Sequence, residues 1–389
     1  QNFARLMIDK GVAFLFGKEV RFELSEGEHT PAEEYLNEVW QSNRKMSVLQ
    51  KLATNGAVCG TAFIKIQWNP GMEYPRLIVV DPETITVTLA EDDIDEVLSY
   101  AIQYPSLDKD DKPIGVRQLI ERDGNHWLIT DQRGDFYAGT WTTINEQIFP
   151  FDFAPVLHCQ NLISPNEFWG MSDIEDDLLE VVDRDNFVVA SILKTLRFHA
   201  FPKTWISGAQ TSRDLDWGPD KTLLLPQGSE YRSLEMQSDL HSSIEMHREL
   251  KEFIHELARV PQIATGKLES IGQLSGVALE ILYQPLIEKT EAKRVTYGEM
   301  IVELNRRLLS IGAYGDDNYT ELRWQELLPK DNQIEAGAAL TLRQLGVSED
   351  TLMQELGYDP DKEREKQPQT RTLGQTLLDE FDRGGIPLE

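Results

Sequence analysis

The sequence predicts a mixed α+β fold in which long helices dominate the second half. Residues 58–156 alternate short apolar runs with turn residues, which is typical of an antiparallel sheet. Residues 171–202 and 241–261 carry apolar side chains at helical spacing. The same spacing continues over residues 275–311 with Pro285 inside it, which predicts one long helix with a kink at the proline.

The N-terminal residues predict a helix, a strand and a second helix. Helical spacing of apolar residues ends at Gly17, and Val20, Phe22 and Leu24 then alternate as in a strand. Thr30-Pro31 combines an N-cap residue with proline at the first helical position. The second helix is therefore predicted to run from Thr30-Pro31 to Asn55-Gly56.

The middle of the chain predicts a meandering sheet. Turn signals such as Asn69-Pro70-Gly71, Asp123-Gly124-Asn125 and Arg133-Gly134 separate the apolar runs. The predicted strands are residues 59–68, 77–80, 85–89, 97–104, 117–121 and 126–131.

The second half predicts two helices around a small insertion. Ser172 is the expected N-cap of the first, and the acids that follow favour the positive end of its dipole. Pro202 ends that helix, and residues 203–240 contain strand-like runs at 203–207 and 221–225. The second helix runs from near Ser242 to Val260, where Pro261 stops it.

The remaining residues predict a loop, the long helix and a tail. The loop, residues 262–274, contains Gly266 and Gly272, and Ser275 is the expected cap of the long helix. A short strand at 319–324 and two or three further helices follow.

Charge and composition limit the function classes. The chain carries 38 Lys and Arg against 66 Asp and Glu, a net charge of −28, which is the opposite of what non-specific DNA binding requires. No apolar run is long enough to cross a membrane. Cys59 and Cys159 lie in apolar surroundings, so we expect free, buried thiols in a reducing compartment.

Motifs for common catalytic and cofactor sites are missing. Thr265-Gly266-Lys267-Leu268 is the nearest match to a P-loop, but it lacks the first glycine and the final Ser or Thr. The sequence contains no G-x-G-x-x-G, H-E-x-x-H, C-x-x-C or G-x-S-x-G. We therefore expect no catalytic centre, no metal and no cofactor.

A cluster of acids leaves one enzymatic alternative open, a metal-dependent nuclease. Its members are Asp173, Asp176, Asp177, Glu180, Asp183 and Asp185. Their spacing spreads them over several faces of a helix, so a solvated acidic face is the preferred interpretation. His241, His247 and His255 are interpreted as surface or packing residues for the same reason of spacing.

Several stretches, and their order along the chain, resemble the portal proteins of tailed double-stranded-DNA bacteriophages of the siphophage type. An acidic helix, a small insertion, a return helix, a glycine-containing loop and a long kinked helix follow one another as in that family. The stretches that carry the resemblance are Phe16-Gly17-Lys18 and residues 161–164, 169–174, 182–186, 261–266, 274–279, 327–331 and 346–348.

The resemblance implies a portal fold that assembles into a ring, usually of about twelve subunits. It implies the following regions: a wing at 1–170, a stem helix at 171–202, a clip at 203–240, a second stem helix at 241–261, a tunnel loop at 262–274, a kinked wing helix and strand at 275–324, and a helical crown at 325–389. Such a ring occupies one capsid vertex of the virion, after assembly in the host cytoplasm, and conducts DNA during packaging and ejection.

The resemblance also implies site residues and partners. The tunnel loop would place Gln262, Thr265, Gly266, Lys267, Leu268, Glu269, Gly272 and Gln273 at the narrowest part of the channel. The clip would present Trp205, Asp214, Asp216, Trp217 and Lys221 to the terminase large subunit or the head–tail adaptor. The other implied partners are non-specific double-stranded DNA and the major capsid and scaffolding proteins, with no membrane. A different oligomeric virion connector or adaptor is the main alternative.

Overall fold

The computed structural model describes residues 2–24, 30–200, 204–207, 228, 230–233, 240–265, 276–315, 319–328, 341–343, 346, 348 and 351–353. Contacts divide the chain into two units, residues 1–274 with 278–327 and residues 275–277 with 328–389. The second unit is described only at a few short helical or turn positions, so the architecture given below is that of the first.

The fold is mixed, as predicted. The long helices are α1 (Phe3–Phe16), α2 (Pro31–Ser42), α3 (Lys45–Cys59), α4 (Asp176–Ala200), α5 (Leu240–Leu257) and α6 (Gly276–Ile311). The strands are β1 (Arg21–Leu24), β2 (Thr61–Gln67), β3 (Arg76–Val80), β4 (Ile85–Leu89), β5 (Val97–Leu107), β6 (Pro113–Asp123), β7 (His126–Asp135), β8 (Thr140–Phe149), β9 (Val156–Gln160), β10 (Thr204–Ser207), β11 (Glu230–Ser233) and β12 (Thr320–Arg323).

The strands form antiparallel sheets. β4 to β8 make a five-stranded meander in chain order, and β2 lies between β3 and β9 in a smaller sheet. β1 pairs with β12, which brings the two ends of this unit together, and β10 pairs with β11. None of the helices in the described part of the chain is long and apolar enough to span a bilayer.

The predicted second helix is in fact two helices. α2 begins at the predicted N-cap, where the Thr30 side chain accepts a hydrogen bond from the Glu33 N–H, but it ends at Ser42. Asn43 Nδ2 donates to the Val39 and Pro75 carbonyls, and its Oδ1 accepts from the Leu77 N–H. Arg44 then takes a left-handed conformation with φ of 57°. These contacts with the start of β3 interrupt the helix, and α3 continues to Cys59, beyond the predicted end.

The sheet is larger than predicted because two strands carry weak sequence signals. Both β8 and β9 lie outside the predicted runs. Gly134 lies inside β7, and the chain turns instead after Asp135, whose carboxylate accepts from the Tyr137 and Ala138 N–H groups. A Cβ at Gly134 would lie 1.7 Å from the Thr140 carbonyl oxygen, so this glycine allows close pairing of β7 and β8.

The prediction of two buried cysteines is half wrong. Cys159 is buried within β9, but Cys59 is exposed at the C-terminal end of α3, and neither forms a disulfide. Pro285 lies inside α6, as predicted.

The largest core surrounds the C-terminal half of α6. Tyr297, Ile301, Leu304 and Leu308 are fully buried there against α1, α2, α3 and the β2 sheet. Trp40 Nε1 donates a 2.8 Å hydrogen bond to Asn305 Oδ1 in the middle of this core. A second core lies under the five-stranded sheet. A third core joins α1 to the N-terminal end of α4, the C-terminal end of α5 and Leu286 of α6.

Gly56 allows α3 and α6 to approach closely. A Cβ at this position would lie 1.9 Å from the hydroxyl oxygen of Tyr297, which is itself completely buried. Such an overlap forces backbone or side-chain movement in a packed core.

We predict that Gly56→Ala destabilises the protein by about 1–3 kcal/mol, because the overlap with Tyr297 exceeds the gain of about 1 kcal/mol in helix propensity. Gly298→Ala is the matched control, since it is also a helical glycine but its Cβ would lie 3.6 Å from Leu322. Urea denaturation should show Gly298→Ala as neutral or stabilising. Equal effects of the two substitutions would contradict this account of the packing.

Candidate functional site

The helix pair formed by α4 and α5 is the part of the structure that corresponds to the two long helices predicted around the insertion. The two helices are antiparallel, because Asp185 contacts His247 while Leu178 and Leu257 line one groove. Ser172 is not the N-cap of α4, which begins at Asp176. The Ser172 hydroxyl lies within hydrogen-bonding distance of the Ala57 and Val58 carbonyls and therefore fixes a turn ahead of the helix.

The predicted site residues are only partly described. Trp205 lies in β10, opposite Arg232 of β11, so the insertion contains a strand pair. The second predicted strand of the insertion, 221–225, lies outside the described residues, and β11 was not predicted. Gln262 and Thr265 form a single 3-10 turn after Pro261. The predicted site residues outside the described part are Gly266, Lys267, Leu268, Glu269, Gly272, Gln273, Asp214, Asp216, Trp217 and Lys221, as is the predicted cap Ser275.

The predicted solvated acidic face is confirmed for four residues and wrong for two. Asp176, Asp177, Glu180 and Asp183 are exposed. Asp173 and Asp185 are buried, because each one contacts a basic side chain of another helix. No group of three potential metal ligands occurs among the described residues.

Asp173 forms a buried polar cluster at the root of the helix pair. Its Oδ2 lies 2.6 Å from Lys293 Nζ, and its Oδ1 lies 3.3 Å from Lys289 Nζ. Asn161 Nδ2 donates to Asp173 Oδ1 at 3.1 Å, and the Tyr297 hydroxyl donates to Asn161 Oδ1 at 3.2 Å. We call these five residues the Asp173 cluster.

The Asp173 cluster holds several helices together. Lys289 also donates to the carbonyl of Ala258, just beyond α5, and the Asp173 N–H donates to the carbonyl of Ala57 in α3. A Cβ at Gly11 of α1 would lie 3.4 Å from Asp173 Oδ2. The chain entering α4, the chain leaving α5, and helices α1, α3 and α6 therefore meet at one carboxylate.

The charges in the cluster depend on one another. Burial alone would raise the pKa of Asp173, but Lys293 and Lys289 outweigh it and hold that pKa below its usual value. Burial, together with the charge of Lys289, lowers the pKa of Lys293 to about 8 despite the attraction of Asp173. The buried cluster therefore holds two lysine side chains against a single carboxylate.

A second buried acid joins the helices of the pair directly. Asp185 on α4 is completely buried and lies 2.5 Å from Nδ1 of His247 on α5. Its Oδ2 atom has no hydrogen-bond partner among the described residues. The sequence contains a signal for this burial, because Asp185 follows Leu178 and Val182 on the apolar stripe of α4. Lys289 and Lys293 lie on the stripe of α6 in the same way, between Leu286 and Tyr297.

One flank of the helix pair carries a row of apolar side chains that is uncovered in the single chain. Phe187 of α4 is 74% exposed and lines a groove with Val188, Met246 and Leu250. The other residues that line this groove are charged: Glu180, Asp183 and Arg184. The apolar row continues along α5 through Phe253, which is 53% exposed, to Leu257. Met246, Leu250, Phe253 and Leu257 follow at alternating intervals of four and three residues, the spacing of a helix–helix seam.

The opposite flank also carries exposed apolar side chains. They are Leu193 of α4 and Ile244 of α5. At 100° per residue, Leu193 lies about 120° from Phe187 around α4, and Ile244 lies about 180° from Phe253 around α5. The pair therefore offers two different apolar surfaces, one on each side.

We predict that Asp173→Asn lowers the free energy of unfolding by about 3–5 kcal/mol, because it leaves two buried ammonium groups without a counter-charge. Asp176→Asn removes a carboxylate that is exposed in the first turn of α4, and its effect should stay within about 1 kcal/mol. Guanidinium denaturation at pH 7 measures both. Similar losses for the two variants would contradict the structural role assigned to Asp173.

We also predict that Lys293 makes stability rise with pH. Its pKa is about 8 in the folded chain and near 10.5 in the unfolded chain, so between these values the unfolded state binds more protons. The wild type should gain on the order of 1–2 kcal/mol relative to Lys293→Met between pH 8 and pH 10. If the difference in free energy of unfolding between the wild type and Lys293→Met stays constant or shrinks from pH 8 to pH 10, burial does not lower the pKa of Lys293.

The chain was compared with solved structures, and it is similar in fold to chains from the necks of gene transfer agent particles. The chain is similar to a chain in the neck of an empty gene transfer agent particle computed with C6 symmetry, with a TM-score of 0.52 and 14% identity over 92% of this chain and 89% of that one. A chain in the neck of the native particle, computed with C12 symmetry, gives a TM-score of 0.50 with the same identity and coverage. These likenesses show a shared fold.

No curated protein matches the sequence. The family model described as phage portal protein, SPP1 Gp6-like, matches residues 1–368, which is nearly the whole chain and includes the helix pair, the Asp173 cluster and α6. The chain therefore belongs to the SPP1 Gp6-like family of phage portal proteins.

Proposed function

We propose that this chain works as portal proteins do: it closes into a ring at one vertex of the capsid, and double-stranded DNA passes through the ring during packaging and ejection. The chain contributes no catalytic centre to this process. The proposal is supported by family membership over residues 1–368 and by the two apolar flanks of the α4–α5 pair.

The two flanks are the observation that carries the proposal. Soluble chains rarely leave rows of large apolar side chains uncovered on a surface helix. A closed ring needs two different, complementary surfaces on every subunit, one for each neighbour. The row containing Phe187 and Phe253 and the opposite row containing Leu193 and Ile244 meet that requirement. We propose that the helix pairs of neighbouring copies pack side by side and form the wall of a stem.

The rest of the chain is assigned by its connection to this stem. We propose that the two sheets with α1, α2 and α3 form the wing, and that residues 203–240, between the helices, form the clip that docks the terminase and the head–tail adaptor. Residues 262–274 connect α5 with α6 and would form the tunnel loop at the narrowest part of the channel. Residues 325–389 would form the crown, and capsid and scaffolding proteins would surround the ring.

The charge of the chain suits a conduit. DNA gains affinity when cations of a protein displace its counterions, and a strongly acidic wall offers few such sites. Asp176, Asp177, Glu180 and Asp183 are exposed on α4, while two lysines of α6 are buried against Asp173 and cannot reach DNA. A net charge of −28 therefore favours passage of the cargo over retention.

We predict that the wild-type chain forms closed rings and that Phe187→Ser/Phe253→Ser prevents ring closure, because the double substitution removes the largest exposed side chains from one flank. Tyr137→Ser is the control, since Tyr137 is 89% exposed in the turn between β7 and β8, far from the helix pair in sequence. Native mass spectrometry and electron microscopy report the subunit number.

The double variant should remain monomeric with an unchanged circular dichroism spectrum, because both side chains are exposed in the single chain. The Tyr137→Ser control should form rings of wild-type size. A wild-type chain that stays monomeric at high concentration would refute the ring, whereas rings formed by the double variant would refute only the assigned flank.

A further inference from the structure

A cleft of about 500 Å³ lies along one edge of the small sheet. All five residues of β9 line it. α6 forms one wall through Thr296, Glu299 and Met300, and the start of β5 forms the other through Val97 and Tyr100. A volume of this size accommodates a short peptide or a small ligand.

The floor of the cleft is the free edge of β9. This strand is the last in its sheet, with β2 on one side only. The Ile66 N–H donates to the Pro155 carbonyl and the Asn161 N–H donates to the Gly60 carbonyl, which fixes the alternation of the ladder. Residues 157 and 159 therefore bond to β2, while the main-chain groups of Val156, His158 and Gln160 point outward into the cleft.

The main-chain groups of two of the three outward residues are available for pairing. The Val156 carbonyl accepts a hydrogen bond from Arg307 Nη1 at 3.2 Å. The main-chain N–H and C=O groups of His158 and Gln160 make no hydrogen bond within the described part of the chain. An edge strand of this kind can pair with an extended peptide, which then gains main-chain hydrogen bonds from the sheet.

The two walls differ in chemistry. Leu157 and Cys159 point to the side of α6, where Glu299 and Glu303 line the cleft. Val156 points to the other side, where Val97, Tyr100 and Phe168 give an apolar surface. Successive side chains of an added strand would face these walls in turn, because their directions alternate.

The cleft favours a basic ligand. Asp95 and Glu299 are exposed carboxylates that form no ion pair among the described residues. Glu303 is held by Arg306 and Arg307, which leaves the other two carboxylates without compensation. His158 adds no positive charge at neutral pH, because burial lowers its pKa to about 4.

We propose that the cleft binds an extended segment of a partner protein, in which Lys or Arg alternates with apolar residues, as an additional strand on the edge of β9. The basic side chains face Glu299 on α6, and the apolar ones face Val97 and Phe168. The carboxylates disfavour DNA at this site, since they repel phosphate. Every group that lines the cleft belongs to one chain.

The test uses the full chain and a fluorescein-labelled peptide of nine residues in which Lys and Val alternate. Fluorescence anisotropy should show this peptide binding at least tenfold tighter than a peptide of the same composition in Lys-Lys-Val-Val order. Two further probes carry N-methyl groups on all Lys or on all Val residues, which blocks one edge of the strand or the other. One of these two probes should lose at least tenfold in affinity and the other should not.

Two substitutions on α6 complete the experiment. Glu299→Lys should weaken binding of the alternating peptide at least tenfold, whereas Glu280→Lys, an equal charge change at an exposed position outside the cleft, should leave it within twofold. Equal effects of the two substitutions would mean simple attraction to an acidic chain and would overturn the proposal. So would equal effects of the two N-methylated probes, since pairing at an edge uses one side of the strand only.

Discussion

Asp173 is a single carboxylate buried between the ammonium groups of Lys289 and Lys293, and the arrangement of the helices depends on it. Through Lys289 it is joined to the chain that leaves α5, and through its own backbone to α3. Burying charges is costly unless they are paired, so loss of this carboxylate would leave two buried ammonium groups without a counter-charge. Asp173 consequently joins the start of α4 and the end of α5 to α1, α3 and α6.

Two parts of α6 make different contacts. Its C-terminal half is an ordinary core helix, with Tyr297, Ile301 and Leu304 packed against the N-terminal helices. Its middle supplies the two lysines of the Asp173 cluster, and its N-terminal end follows the segment proposed as the tunnel loop. One continuous helix therefore connects that end with the Asp173 cluster. Pro285 lies between the lysines and the loop, where a missing backbone hydrogen bond makes bending easier.

Local signals in the sequence were sufficient for much of the fold. α1, α5 and α6 follow from helical spacing, and Thr30 and Pro31 mark the start of α2 correctly. What local signals could not give was burial decided by distant residues. Asp173 has the position of an ordinary acid near a helix N-terminus, and its role depends on a lysine 120 residues later. The break after Ser42 depends on Pro75 and Leu77 in the same way. Of the predicted site, Trp205, Gln262, Thr265 and Pro285 lie in described elements, and the roles assigned to all the predicted site residues remain predictions.

The contact between Gly56 and Tyr297 has a consequence for the evolution of the family. The two positions lie on different helices, but the Tyr297 side chain fits only because Gly56 has no side chain. A relative that carries alanine or serine at the position of Gly56 should carry a smaller residue than tyrosine at the position of Tyr297. The hydroxyl of Tyr297 also donates to Asn161, so the identity of that residue should change with them. These three positions should covary as one unit, although no two of them are neighbours in sequence.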